Sequence, residues 1–472
     1  MMRARTTNQD MNQPLNQAIS RPAWPTQPGW LESFFIFISL LLVTQALGPL
    51  LMAGSSGDDA LGDSNPATLL SALTVYTIAF FLLARRPGAV MDTIRDNPLL
   101  VAVFLLPVVS VIWSVDRGTS FRRVVALVMT GFYCVYLARR LSPDDFLRRL
   151  LLVLFVGGVL SLLFTLVDPG QAIEHGAINN GSWKGVYGHK AILGRIAAVA
   201  VTVSVYVRPR NFFDGAMRWL TIAIFVFLAI KSESRASWLM MGGGVGCMML
   251  IAIMRNRRLS SGIKFTIALA VGLMVLAAVG LLFDKILLAM GRDDTFSGRT
   301  TLWEGAIAVA KAHHPILGAG YRAFWTATGA EGVRDYIQHW ARLPSHGHNG
   351  YLDIWLELGY AGVVLFAVFV IVTVTRLIRR MLRESSEPAW AAFAIFFFVF
   401  LLNNASVTVA FKHTDIAWVF AVLACLYTRG CVSARLPALA RPERKRLQFI
   451  ASRPVRAWQP PCPPPGFQGA AR

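Results

Sequence analysis

The sequence predicts an all-α polytopic membrane protein with about twelve transmembrane helices, and three observations lead to this prediction. The chain has 472 residues, of which 55% are hydrophobic and only 15% charged, so it is more apolar than a soluble protein of this length. Long apolar runs recur from about residue 33 to residue 428, many of them long enough to cross a hydrocarbon core of roughly 30 Å. Most of the positive charge is arginine in short loops between these runs, which is typical of a multi-pass protein.

The apolar runs form two groups separated by one long hydrophilic segment. Residues 33–284 are predicted to hold transmembrane helices 1–9, residues 285–349 a large periplasmic loop, and residues 350–428 transmembrane helices 10–12. The polar residues 1–32 and the basic, Pro-rich residues 429–472 are predicted to be cytoplasmic tails, the first of them disordered. The spans themselves are expected at 33–53, 68–84, 98–113, 122–138, 149–167, 190–207, 217–230, 237–254, 264–284, 350–375, 389–402 and 414–428.

The loops predict the orientation of the chain. Arginine-rich loops follow the second, fourth, sixth, eighth and tenth spans, whereas the first outer loop, "GSSGDDALGDSNPAT", has no Lys or Arg. The positive-inside rule therefore places both termini in the cytoplasm. One loop departs from this pattern, because "SVDRGTSFRR" at 114–123 carries three arginines on the predicted outside. Either the span count is off at this point or these arginines have a function.

Charge and cysteine usage exclude several classes of protein. The net charge is +20, from 46 basic and 26 acidic residues, but no soluble segment has the basic stripe with interleaved aromatic residues that nucleic-acid binding requires. The five cysteines form no CxxC pair, which argues against disulfides and cysteine–zinc sites. No HExxH or CxxH pattern occurs either, so no metal site and no cofactor is expected.

The histidines indicate which side of the membrane carries chemistry. All of them fall in predicted outer loops or at the margins of such loops. The eight are His175, His189, His313, His314, His339, His346, His348 and His413. We therefore expect the reactive groups at the outer, periplasmic side.

The large outer loop contains a predicted helix. "TLWE" is typical of a capping box, with Thr301 as the N-cap and Glu304 three residues later, and Pro315 is expected to end the helix. Arg299 then lies near a helix N-terminus, where backbone N–H groups favour an anion. It could equally be a solvated loop arginine or the ion-pair partner of Asp293 or Asp294.

The stretch "SHGHNGYLDIWLELG" joins the outer loop to the tenth span. His346 and His348 alternate on an extended segment at the membrane edge, and Asn349 can cap the following helix. Asp353 and Glu357 lie four residues apart on one face of that helix. Because a carboxylate is costly in hydrocarbon unless it is paired or faces water, we expect both to face the protein interior.

Two further outer loops carry candidate binding residues. "SESRASW" places Arg235 between serines in a very short turn, where a fixed anion contact and simple snorkelling are both open. "GSWKGVYGHK" places Trp183, His189 and Lys190 at the start of the sixth span. This group suits a phosphorylated, sugar-bearing substrate, and it suits ordinary anchoring at the membrane surface equally well.

These segments together resemble the O-antigen ligase and Wzy-type polysaccharide polymerase superfamily, most closely its ExoQ-like exopolysaccharide polymerases. The residues that carry the resemblance are "WSVD" with "SFRR", "WKGVYGHKAILG", "SESRASWL", "SGRTTLWEGAIAVAKAHHPILGAGYRAFW" and "HGHNGYLDIWLELGYAG". Ala191 stands where an asparagine is expected after "HK". The resemblance implies a GT-C-like enzyme of the bacterial inner membrane with a periplasmic active site. Its substrate would be an oligosaccharide linked to undecaprenyl diphosphate, and a chain-length regulator and export proteins would be further partners.

The residues suit that chemistry on physical grounds as well. A guanidinium binds phosphate bidentately and stays charged, so Arg235 and Arg299 are the predicted clamp on the departing diphosphate. A histidine is suited to take the proton of the acceptor hydroxyl, and His348 is the first choice, with His346 the nearest alternative. The remaining predicted substrate-binding residues are Trp183, His189, Lys190, Trp303 and Arg322. The expected reaction is metal-independent and inverts the anomeric carbon.

Three other functions remain open from the sequence. An O-antigen ligase shares the donor chemistry but transfers the chain to lipid A-core, and no residue separates it from a polymerase. A flippase or transporter would carry charges in mid-span, whereas the interiors of the first nine spans are nearly free of charge. A non-enzymatic assembly scaffold with two basic tails is the last alternative.

Overall fold

The computed structural model of the protein describes eleven stretches of the chain and omits the regions between them. The described residues are 28–48, 66–175, 181–256, 258–267, 269–270, 273, 299–337, 344–384, 388–405, 407–413 and 415–429, without the side chains of 66–69 and 235–237. Both predicted tails lie mostly or entirely outside these residues. The predicted ninth span, 264–284, lies largely outside them too.

The described residues form thirteen helices of ten or more residues and no β-strand; an isolated bridge pairs Ile173 with Trp183. Further helical residues are described between 261 and 273. The helices, apart from short turns, are α1 (Trp30–Val43), α2 (Pro66–Ala84), α3 (Pro87–Asp96), α4 (Pro98–Ser110), α5 (Arg117–Arg140), α6 (Pro143–Val167), α7 (Lys190–Tyr206), α8 (Phe212–Lys231), α9 (Arg235–Arg255), α10 (Arg299–His313), α11 (Gly350–Arg383), α12 (Ala389–Asn404) and α13 (Ile416–Thr428). The predicted all-α class is confirmed.

Several of these helices are suited to cross a bilayer. Within the described chain, α5, α6, α8, α9 and α11 are long and apolar enough, and the count rises to six if α2 and α3 are taken as one span. Helices α2 and α3 meet at 97°, at a turn where Pro87 opens the second helix. The apolar helices α1, α4, α12 and α13 are shorter.

Helix α13 forms the centre of the bundle. All its residues from Ile416 to Thr428 are buried, and it packs against α5, α11 and α12. Aromatic rings fill the contacts: Phe396 stacks on Phe420 with ring centroids 4.5 Å apart, and Trp418 stacks on Phe411 at 5.1 Å. By contrast, large apolar side chains of α8 and α9 are exposed, as expected where a helix faces lipid.

The two ends of the bundle differ in charge and in content. One end holds the arginine-rich helix termini, where Arg140 pairs with Glu32 at 2.7 Å and Arg148 pairs with Asp214 at 2.8 Å. The other end holds the starts of α5, α7, α9, α11 and α13 together with the outer loop. Contacts among those loops, described below, build the candidate site at this second end.

Helix α11 is interrupted nine residues after its start. Gly359 has φ 63° and ψ −161°, and the segment 316–320 crosses the helix at this break. The amide of Ala319 donates to the Leu356 carbonyl at 2.8 Å, and the amide of Tyr360 donates to the Ile316 carbonyl at 3.0 Å. A Cβ on Gly359 would lie 1.9 Å from the Ile316 carbonyl oxygen, so only glycine fits this crossing.

The loop at 114–123, whose arginines departed from the charge pattern, binds the chain at residues 319–322. It contacts this part of the chain from the side opposite α11. The amide of Val115 donates to the Ala319 carbonyl at 3.0 Å, and the Ser120 hydroxyl donates to the Tyr321 carbonyl at 2.7 Å. Arg123 donates to the Arg322 carbonyl at 2.9 Å. At least one of the exceptional arginines therefore has a structural function at this end of the bundle.

The outer loop has a hydrophobic cluster of its own. Helix α10 buries Leu302 and Ala306 against Phe324, Val333 and Leu356 of α11. This cluster seats the outer loop on the start of α11, and it fixes the position of α10 relative to the two histidines.

Candidate active site

The two histidines of the segment before α11 lie side by side. The ring centroids of His346 and His348 are 4.3 Å apart with an interplanar angle of 45°. Asn349 caps α11 as predicted, because its side chain accepts from the amides of Tyr351 and Leu352. His348 itself has φ 52°, in the left-handed region that a side chain rarely adopts, so the backbone turns sharply at this histidine.

Gly347, between the two histidines, is held from both sides. Its amide donates to the Asp353 carboxylate at 3.0 and 3.2 Å, and its carbonyl accepts from the indole N–H of Trp303 at 2.7 Å. A Cβ here would lie 2.6 Å from Asp353 Oδ1 and 3.0 Å from the Trp325 ring. The peptide between the imidazoles is therefore fixed, and glycine is required for the close approach.

Asp353 joins three separate parts of the chain. It has no exposed surface, and besides Gly347 it accepts from the indole N–H of Trp325 at 2.8 Å and from the hydroxyl of Thr408. A buried carboxylate is stable only when donors surround it in this way. The prediction that Asp353 faces the protein interior is confirmed.

Glu357, one turn further along α11, holds Arg322. Its Oε2 accepts from the Arg322 amide at 3.0 Å, and its Oε1 lies 4.0 Å from the Arg322 guanidinium. Arg322 has φ 56°, and with the Arg123 bond to its carbonyl the residue is held by two partners. Glu357 is 5% exposed, so its predicted inward placement is confirmed as well.

A group of positive charges surrounds His346. Burial, and after it the neighbouring His348, lowers the pKa of His346 to about 2. Three cationic side chains contribute to the same lowering of this pKa: Lys412, Arg322 and Arg299. The site therefore combines a neutral imidazole with cationic side chains that can hold an anion.

Arg299 lies in the first turn of α10 and is half-buried. Helix α10 already includes Arg299, so Thr301 lies inside it, and the predicted N-cap at Thr301 is wrong. Asp293 and Asp294, the predicted alternative partners of Arg299, lie outside the described residues. The helix ends at His313, before Pro315, as predicted.

Arg235 opens α9, but its side chain lies outside the described part of the structure. The neighbouring Ser232 and Ser234 are buried. The predicted clamp of Arg235 with Arg299 therefore stays a prediction.

Trp183, His189 and Lys190 form a second polar group, at the start of α7. His189 caps α7 through Nδ1, which accepts from the Ala191 amide at 3.2 Å. The Lys190 amide donates to Glu174 at 2.9 Å, and His189 Nε2 lies 3.8 Å from the same carboxylate. Glu174, which was not among the predicted site residues, therefore binds this motif.

Trp183 packs at the end of α8. Its ring meets Phe227 edge-on with centroids 5.7 Å apart, and the Lys231 ammonium lies 5.9 Å from the Trp183 ring centroid. These contacts suit an anchoring residue, and the predicted contact of Trp183 with substrate stays a prediction.

Several residues of the site were not predicted from the sequence. Trp325 and Thr408 bind Asp353, and Lys412 contributes to the charge around His346. The segment that carries Thr408 and Lys412 follows α12, far along the chain from the outer loop. Within the described residues, no group of three or more His, Cys, Asp or Glu side chains is placed to hold a metal ion.

The sequence is similar to that of a known protein family. Residues 219–367 match the O-antigen ligase family. That stretch contains α9, α10, the two histidines, Asp353 and Glu357, so it covers most of the site just described.

One curated relative is the exopolysaccharide production protein ExoQ of Rhizobium meliloti (strain 1021). It is 26% identical to this chain over 304 residues, which are 61% of this chain and 67% of the relative. The resemblance to the O-antigen ligase and Wzy-type polymerase superfamily, and to its ExoQ-like members, is confirmed.

Proposed function

We propose that the protein is a membrane glycosyltransferase that polymerises oligosaccharide repeats linked to undecaprenyl diphosphate. The observation that carries this proposal is the histidine pair: Asp353 holds the peptide between the two imidazoles, and the positive charges of Arg299 and Arg322 act on His346. Glycosyl transfer from a lipid diphosphate requires both halves of this arrangement: cations for the leaving group and a base for the acceptor.

The cations stabilise the departing diphosphate. As the bond between the anomeric carbon and the diphosphate oxygen breaks, negative charge builds up on undecaprenyl diphosphate, and arginines oriented in advance lower that barrier. Arg299 and Arg322 supply the guanidinium groups, with Arg235 as the further predicted member of the clamp. The reaction then needs no metal ion, and we expect activity to persist in excess EDTA.

His348 is the base in this mechanism. It takes the proton of the acceptor hydroxyl while that oxygen attacks the anomeric carbon from the side opposite the diphosphate, which inverts the configuration. A base works best with its pKa near the working pH. His346, with its pKa lowered to about 2, stays neutral but binds a proton poorly, which favours His348. His346 then contacts the substrate as a neutral imidazole.

The topology proposed is twelve spans of a GT-C-like enzyme in the bacterial inner membrane, with both termini cytoplasmic. The shorter helices α1, α4, α12 and α13 then also cross, as do α7 and the predicted span 264–284, and the arginine-rich end faces the cytoplasm. Ser345 beside the histidines is exposed. We expect a Ser345→Cys variant to react with a membrane-impermeant maleimide added to spheroplasts. Labelling only after the membrane is opened would reverse the orientation.

An O-antigen ligase is the second candidate, because the family that matches residues 219–367 carries that description. The similarity to an exopolysaccharide production protein favours polymerisation. A chain-length regulator and export proteins would be partners of a polymerase, whereas a ligase would require lipid A-core.

Deleting the gene in its host separates the two candidates. A polymerase mutant loses long polymer and accumulates single repeats on the lipid carrier. A ligase mutant still makes the polymer but leaves it unattached to lipid A-core. Complementation with the wild type must restore the product, and a His348→Ala gene must not.

A further inference from the structure

The segment 407–413, between α12 and α13, is a fixed part of the site end. The amides of Val409 and Ala410 donate to the Asn404 side chain at 3.2 and 3.0 Å. The hydroxyl of Thr408 donates to Asp353. These bonds leave the segment little freedom to move relative to the histidine loop.

The segment exposes one charged side chain. From Thr408 to His413 every residue is buried except Lys412, which is half-buried. Behind it, Asp415 caps α13 and forms an ion pair with Arg195 of α7 at 3.0 Å, with both side chains nearly inaccessible. A rigid, apolar segment that leaves a single lysine partly open to its surroundings positions that lysine for contact with something outside the segment.

One hydrogen bond joins the residue before Lys412 to the rest of the site. The carbonyl of Phe411, directly before Lys412, accepts from the Tyr321 hydroxyl, and Tyr321 is directly before Arg322. Lys412 and Arg322 therefore each follow directly after one member of the hydrogen-bonded pair Phe411 and Tyr321. In agreement with that geometry, the charge of Lys412 contributes to the lowered pKa of His346, as the charges of Arg322 and Arg299 do.

Like charges that act on the same imidazole also repel one another, and an anion among them lowers this repulsion. We propose that Lys412, presented by the segment 407–413, is a further cation for the diphosphate of the donor, in addition to the arginines of the proposed clamp. This inference rests on the proposed function and extends it to a residue outside the O-antigen ligase match at 219–367. The lysine acts as a point charge beside the bidentate arginines.

The test uses the full-length protein in lipid nanodiscs with two probes: inorganic pyrophosphate and a donor repeat on undecaprenyl diphosphate. Lys412→Ala should raise both the KM for the donor and the inhibition constant of pyrophosphate by about tenfold or more, since one charge-assisted contact is lost. Lys412→Arg should return both constants to within about threefold of the wild type. Lys311→Ala, an exposed lysine at the far end of α10, is the control and should change neither constant.

The outcomes separate this inference from the proposed function. If the wild type turns over the donor and Lys412→Ala keeps the wild-type pyrophosphate constant, Lys412 does not bind the diphosphate. A raised KM with unchanged pyrophosphate inhibition would likewise overturn the inference and assign Lys412 to an acidic group of the sugar. A third outcome is that the wild type does not turn over the donor, while pyrophosphate raises the Tm of the wild type but not that of Lys412→Ala. This result would support the anion site and reject the proposed reaction.

Discussion

Replacing Asp353 tests how the histidine pair is held. The carboxylate accepts from three donors, the Gly347 amide, the Trp325 indole and the Thr408 hydroxyl, and it has no exposed surface. Alanine would leave all three donors buried without an acceptor. Asparagine keeps one oxygen, and because Oδ1 serves both Gly347 and Trp325, that oxygen can retain two of the donors. The Thr408 hydroxyl can rotate and accept from the new amide.

The two substitutions therefore differ in expected size. Each buried donor left unpaired costs about 1–3 kcal/mol, so Asp353→Ala loses roughly 3–9 kcal/mol, of the same order as the roughly 5–15 kcal/mol that stabilises a typical folded protein. Asp353→Asn loses the stronger, charged acceptor and costs about 1–3 kcal/mol. Because a catalytic group displaced by about 1 Å can cost roughly a hundredfold in rate, turnover should fall by more than the stability suggests.

Purified variants in detergent or nanodiscs provide the assay. Asp353→Ala should express poorly or unfold at a much lower temperature, and Asp353→Asn should stay folded with a lower Tm. In Asp353→Asn, kcat for a lipid-linked donor should fall at least tenfold with little change in KM, since the cations stay in place. Asp116→Asn is the matched control, because Asp116 caps α5 and asparagine caps equally well. An Asp353→Asn variant with wild-type Tm and wild-type kcat would refute the reasoning.

Three further predictions concern the crossing segment and the histidines. Gly359→Ala should lower the free energy of unfolding by about 2 kcal/mol or more, because its positive φ and the Ile316 carbonyl both oppose a Cβ. Gly246 has open space around it, so Gly246→Ala is the control and should leave the Tm unchanged. Arg123→Gln should lower kcat/KM for the donor about tenfold, because the charged hydrogen bond to the Arg322 carbonyl is lost. Arg122 is an exposed neighbour, so Arg122→Gln should leave kcat/KM unchanged. Equal effects of the two substitutions on donor turnover would contradict a special role of Arg123. The lowered pKa of His346 means that the unfolded chain binds a proton below pH ~6.5 and the folded protein does not, so stability is intact above that pH and falls on acidification by at most about 1.4 kcal/mol per pH unit. His346→Gln should flatten the Tm between pH 6.5 and pH 5, and a wild-type profile that is equally flat would contradict the assignment.

The helices of the fold were predictable because an apolar run of sufficient length leaves few alternatives. Each predicted span overlaps a described helix, except the one at 264–284, which lies largely outside the described residues, and the number of spans stays a prediction. The sequence could not predict the break at Gly359, since it depends on the Ile316 carbonyl, which comes from a distant part of the chain.

The candidate site was predictable where its residues stand next to one another. His346, His348, Asp353 and Glu357 lie in one stretch, and the cost of a carboxylate in hydrocarbon was enough to predict that both acids turn inward. Trp325 and Thr408 could not be assigned, because their common partner, Asp353, is remote in sequence from both.

The second polar group shows a different limit of sequence reasoning. His189 and Lys190 have the composition of an anion site, but His189 Nε2 and the Lys190 amide face Glu174, fifteen or so residues upstream. The Lys190 ammonium donates to the Ser182 hydroxyl at 3.3 Å, and the sequence alone could not predict these partners. The arginines at 114–123 show the opposite case. Their charge did not fit the positive-inside rule, and the structure shows that Arg123 donates to the Arg322 carbonyl of the site.

The most direct measurement is donor turnover by the purified protein in nanodiscs containing repeats linked to undecaprenyl diphosphate. The wild type should form polymer and release undecaprenyl diphosphate with an acceptor repeat present. His348→Ala, with an unchanged Tm, should be slower by roughly 10²–10⁴-fold, the range that a positioned base contributes. A wild type that releases no undecaprenyl diphosphate, or a His348→Ala variant that polymerises at the wild-type rate, would contradict glycosyl transfer at this site.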